Sequence, residues 1–222
     1  MKITSKNNLL KNAFTMLELV FVIIVIGVLA AIVVPSSSRS PLTEATTQLA
    51  SHIRYVQHLA MIDDKYNAKD EKWALGRWQI VFNKGANANN KQAYTVYSDS
   101  STYTGDPNKN EIAINPENNN QIMSGGHSGS NSLNIKHEDF MGMKKLNLGM
   151  SYGVTDVSLS NGCSGSHIMF DSMGRVIDGK HTSTTNTHQL ISSDCNVTLT
   201  SGSEKSVITI KPETGFITIK YL

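Results

Sequence analysis

The sequence predicts an α+β fold in which a long N-terminal helix is followed by an antiparallel two-sheet β domain, and three observations carry that prediction. Residues Phe14 to Val34 form the one continuous apolar run long enough to leave water. Leu42, Ala45, Leu49, Ile53, Val56 and Ala60 then recur at three- and four-residue spacing, the pattern of an amphipathic helix. Beyond Tyr66 the apolar residues alternate with period two in short runs punctuated by Gly, Asn and Ser.

A polar leader, Met1 to Ala13, precedes the apolar run and carries Lys2, Lys6 and Lys11 with no acidic residue. A positive flank of this kind holds an N-terminus in the cytoplasm, so the chain beyond Pro35 is expected to be exported and Phe14–Val34 to span the membrane. One residue in the run is out of character. Glu18 is ionisable, and a charge held deep in a bilayer costs roughly 2.5–3.5 kcal/mol on insertion scales, so its presence implies a function.

After the run, Pro35 removes a helix donor and Ser40-Pro41 reads as an N-cap followed by a first-turn proline, so helix loosens and restarts. The restarted helix is expected as a continuation of the first, over residues 35–66, with Glu44, Gln48, Arg54 and Gln57 off its apolar stripe. His52 and His58, six residues apart, do not share a face and read as rim residues. The predicted strands are 78–82, 94–98, 111–114, 154–159, 166–170, 175–177, 189–192, 196–200, 207–210 and 216–221. Residues 123–134, rich in Gly and Ser, read as a flexible loop. The division that follows is a leader over 1–13, an apolar helix over 14–34, its amphipathic continuation over 35–66 and a β-rich domain over 67–222.

With 222 residues, 39% hydrophobic and 17% charged, the chain suits one apolar helix and one modest domain. A net charge of +2 gives no bulk electrostatic case for nucleic acid. Cys163 and Cys195 are the only cysteines, and in an exported domain they are expected to close as a disulfide. The alternative is a Cys163 nucleophile with His167 four residues on. Asp106, Asn108, Asn110 and Glu117 have the spacing of calcium-loop ligands, but Glu111 stands where that loop needs glycine, so the stretch reads as a polar loop. His127, His137, His167, His181 and His188 lack paired metal spacing, and no cofactor or metal is expected.

The order of leader, Ala13, Phe14-Thr-Met-Leu-Glu18 and apolar run resembles the type IV pilins and the pseudopilins of type II secretion. In that family a prepilin peptidase cuts on the cytoplasmic side of the apolar segment. The resemblance implies cleavage between Ala13 and Phe14, N-methylation of Phe14, assembly through Glu18 and a helix-loosening role for Pro35. The departure is Ala13, where the family usually has glycine. Gly76-Arg-Trp78, Phe170-Asp-Ser-Met-Gly174 and Thr214-Gly215 further resemble the minor pseudopilins of the GspH/FimT type. Where DNA-capturing members carry arginines after the last turn glycine, this chain has Phe216, Ile217 and Thr218.

The resemblance implies a structural, non-enzymatic subunit of a pseudopilus or pilus, held in the inner membrane with its domain in the periplasm before assembly. Its partners would be other pilins, prepilin peptidase, the inner-membrane assembly platform and membrane lipid. Two alternatives are a minor pilin of a DNA-uptake pilus and a membrane-anchored exported enzyme or adhesin.

Overall fold

The computed structural model describes residues 15–33, 40–100, 103–178 and 190–222. The chain divides after residue 39 into two units, each described by itself.

The first unit contributes helix α1, Met16–Val33. The second begins with helix α2, Pro41–Ile62. Both depart from the expected single long helix. The described residues form two separate helices of 18 and 22 residues, and α2 belongs to the unit that holds the β structure. Among the described residues no helix is long and apolar enough to cross a membrane, which overturns the expected membrane-spanning segment and the single-pass inner-membrane location. At about 1.5 Å per residue, the 18 described residues of α1 cover about 27 Å.

Helix α2 starts where its sequence directs, with Ser40 preceding Pro41 at the first helical position and Glu44 in the first turn. All six residues of the predicted stripe are buried, together with Thr46 and Ala50. The helix ends at Ile62, four residues earlier than expected, and is followed by Asp63, whose N–H donates to Leu59 O at 2.9 Å and whose carboxylate accepts the Trp78 indole N–H at 2.9 Å.

The strands are β1 Trp78–Asn83, β2 Ala93–Ser98, β3 Ile114–Asn115, β4 Asn118–Ile122, β5 Asp156–Asn161, β6 His167–Phe170, β7 Val176–Asp178, β8 Cys195–Ser201, β9 Glu204–Ile210 and β10 Ile217–Tyr221. They form three antiparallel sheets where two were expected, in the orders β2-β1-β6-β7, β10-β9-β8-β5 and β3-β4. The third is a small hairpin built from Asn118, Asn119, Asn120 and Gln121, whose polarity hides it from an apolar pattern. Of the strand expected over 189–192, the described residues 190–192 contribute only an isolated bridge from Leu190 to Ile177. A short helix α3, Leu148–Tyr152, is capped by the Asn147 side chain, which accepts the Met150 N–H at 2.9 Å.

Helix α2 contacts strands of both four-stranded sheets. Leu49, Ile53 and Val56 of the helix form one core with Ile80, Tyr94, Ile168 and Phe170 of the first sheet and Val197, Ile208 and Ile210 of the second. Burying each such side chain contributes roughly 1.5–3 kcal/mol. Gln57, expected off the stripe, joins two turns instead. Its Nε2 donates to Gly174 O at 2.8 Å and to Thr214 O at 3.1 Å, tying the β6–β7 turn to the β9–β10 turn.

Candidate functional site

Helix α1 begins with Thr15-Met-Leu-Glu18, a capping-box sequence. The Thr15 hydroxyl accepts the Glu18 N–H at 3.3 Å, and Glu18 Oε2 accepts the Thr15 N–H at 3.4 Å. Two backbone donors that a helix start leaves open are thereby satisfied, and the carboxylate stands in the first turn, where the helix dipole favours negative charge. This capping role was not anticipated, although the spacing Thr-x-x-Glu was legible.

Glu18 shares one helix face with Phe21, Val22, Val25 and Ile26, so an exposed acid opens an apolar stripe. The other side chains described on the helix, through Leu29, are apolar too. Leu17 is 78% exposed, Phe21 68% and Ile23 61%. A helix apolar on every side is stable in proteins when something covers it, and an exposed patch of this kind marks an interaction surface. Ala13, Phe14 and Pro35 lie outside the described residues, so cleavage, methylation and the helix break are not placed.

In the second unit Cys163 and Cys195 form a disulfide, as expected. It joins the turn after β5 to the first residue of β8, beside the register pair Asn161↔Cys195. With its sulfur in that bond, Cys163 is no nucleophile. His167 sits on β6 and its ring lies 6.5 Å from that of Tyr97.

The calcium-loop residues serve their own segment. The Glu111 carboxylate accepts the Asn108 N–H at 3.0 Å and its side-chain amide at 3.1 Å, closing a capping box around the turn Lys109–Glu111. The 123–134 stretch, read as a flexible loop, packs along β2. Gly125 donates to Tyr94 O at 3.0 Å, and Met123, Ser124 and Leu133 are buried. A recess of about 740 Å³ is lined by Lys109, Ser130, Asn131, Glu138, Asp139 and Phe140, none of them an expected site residue. His181 and His188 lie outside the described residues.

The most developed polar cluster of the unit lies where α2 meets β2. Tyr94 is fully buried, and its hydroxyl accepts the Gln48 Nε2–H at 3.0 Å and lies 2.6 Å from His52 Nδ1. With Gln48 donating, the hydroxyl hydrogen is available to His52, an arrangement in which Nδ1 of the neutral ring accepts. Burial pushes the His52 pKa below its ordinary value, and Glu117 only partly opposes it. His52 is half-buried, at the rim of the core as its helical position suggested, and bonds there to the buried Tyr94.

The sign of the pH effect follows. A histidine whose folded pKa is depressed favours the neutral form, so its contribution is complete above its unfolded value of about 6.5 and declines as pH falls below that. His127, lowered by burial in the same direction, adds to the decline. Unfolding free energy should fall as pH drops below about 6.5, and His52→Asn, which places an acceptor where Nδ1 stands, should flatten that slope. Chemical denaturation at several pH values measures it, and an unchanged slope in the variant would contradict the assignment.

Comparison with protein-family models, with curated proteins and with solved structures finds no match to this chain.

Proposed function

We propose that this chain is a structural subunit of a pilin-type fibre, a minor pseudopilin of a type II secretion system or a minor pilin of a type IV pilus. Prepilin peptidase cuts after Ala13, Phe14 is methylated, and the subunit enters the fibre through α1 with the help of an assembly platform. The observation that carries this reading is the exposed apolar surface of residues 16–29 of α1 with one carboxylate in the first turn.

In a fibre, neighbouring helices would cover that surface. Among the described residues nothing beyond the helix's own neighbouring backbone comes within 4 Å of where a Gly27 Cβ would stand, so another helix can approach closely there. Cleavage frees the Phe14 α-amine as a cation, and Glu18 of an adjacent subunit pairs with it as the helices dock. Shielded from water, a misregistered neighbour leaves both charges unpaired, and that cost selects the register.

Capping and pairing can be separated by substitution. Glu18→Gln preserves a capping-box partner and removes the charge, whereas Glu18→Ala removes both. Both variants should join fibres at least about tenfold less well than the parent chain, because an uncompensated charge is left in the interface. Co-isolation with partner pilins reads the effect. Glu18→Gln assembling like the parent would show that the residue only caps its own helix.

A further inference from the structure

The two large sheets end differently. In the first, both outer strands are covered along their edges. Val96 of β2 donates to Met123 O and accepts from the Ala113 N–H, each at 2.9 Å, and Val176 O of β7 accepts the Ile191 N–H at 3.3 Å. In the second, the outer strands are β5 and β10. Among the described residues no backbone hydrogen bond reaches the outer edge of either. The Arg54 guanidinium, with Nη2 at 3.4 Å from Ile217 O, touches the β10 edge by a side chain.

Ladder parity identifies the open groups. Gly162 donates to Asp194 O at 2.9 Å across the β5–β8 pair, so even-numbered residues of β5 face β8 and Val157 and Leu159 turn their N–H and C=O outward. Lys211 donates to Phe216 O at 2.9 Å and Leu222 to Lys205 O at 2.8 Å, so on β10 it is Ile217 and Ile219 that turn outward. Edges this open are templates for another strand.

We propose that a second copy of this chain occupies them, with the β10 edge of one copy pairing antiparallel with the β5 edge of the next and Asp156 opposite Lys220. Three features select that occupant. The sheet has four antiparallel strands, so β10 and β5 run in opposite directions and adding a copy preserves the alternation. The register that matches the charges also sets Val157 against Ile219 and Leu159 against Ile217, all four packed toward the core and all four turning backbone groups outward, with the Ile217 carbonyl already accepting from Arg54. On the exposed face it leaves Ser158 opposite Thr218. A β5–β5 or a β10–β10 contact pairs no opposite charges. The contact is heterologous, so repetition continues the sheet as an open helical array. It uses none of α1 and stands whether or not α1 assembles as proposed above.

The test uses the full chain in detergent, which keeps the apolar α1 in solution, with cysteines at the exposed pair. Ser158→Cys and Thr218→Cys chains mixed and mildly oxidised should give a cross-linked dimer that neither gives alone, and a chain bearing both should give a ladder of dimers, trimers and larger species. Asp156→Lys or Lys220→Asp should cut that yield severalfold, and the two reversals combined should restore it. A β5–β5 dimer would set Ser158 opposite itself, so efficient cross-linking of Ser158→Cys alone would overturn the proposal. So would mixtures that stay monomeric, as expected if the edges take a strand of some other protein, or reversals that do not rescue each other.

Discussion

Gly215→Ala is expected to lower the unfolding free energy by roughly 2–5 kcal/mol, combining a left-handed backbone with overpacking. Gly215 holds φ at +61°, and a Cβ there would run into the Gln57 amide and the Gly174 carbonyl oxygen. The carbonyl belongs to backbone, so it cannot swing aside as a flexible side chain would. Gly174, at φ +79°, forms the other turn held by Gln57, so damage at one turn reaches both sheets through α2. Gly202 is the control. It has φ +59° with nothing within 4 Å, so Gly202→Ala reports the backbone strain alone. Denaturant unfolding compares the two, and equal losses would mean that the Gln57 junction is not the tight contact described.

Removal of the Cys163–Cys195 bond, by reduction or by replacing both cysteines with alanine, is expected to cost about 3–4 kcal/mol on the chain-entropy account. The two residues are 32 apart in sequence, so the unfolded chain regains a sizeable loop. The folded side of the balance is local. Both cysteines are buried, and the bond fixes the start of β8 against the end of β5 in a region already held by the Gly162 to Asp194 hydrogen bond. Unfolding measured with and without reductant gives the difference. A change below about 1 kcal/mol would mean that the backbone ladder already restrains the reduced chain.

Several elements were legible because one period governs them. The α2 stripe was read residue for residue, since each member faces the same core. Strands β1, β2, β6, β8 and β9 alternate around apolar residues and fall close to their predicted positions. What escaped depends on distant partners. Gln57 reads as a solvated glutamine until turns 117 and 157 residues away meet it, and the partner of the rim residue His52 is not visible until Tyr94 arrives from β2. Strand β4 escaped because Asn118, Asn119 and Asn120 face solvent and leave no apolar signal, and the strand expected over 111–114 survives only as Ile114 at the start of β3. Gln79 resisted for another reason. It alternates as a strand residue should, yet it is fully buried with neither amide atom hydrogen-bonded, and nothing in the structure explains it.

At the candidate site the sequence disclosed the residues and misjudged the frame. Glu18 stood out as a charge in an apolar run, but its reciprocal bonds with Thr15 are a local device that needs no partner. The run from Phe14 to Val34 suggested a span, whereas the helix formed is Met16–Val33. Its exposed apolar surface still requires cover, which is why packing against other helices is the reading favoured here.

The measurement closest to the central claim is the intact mass and N-terminal sequence of the chain produced with and without a prepilin peptidase. The account predicts loss of residues 1–13 only when the enzyme is present, leaving Phe14 first and, where the methylating activity is supplied, methylated. A chain that keeps its first 13 residues in both cases, or one cut beyond Val34, would contradict it.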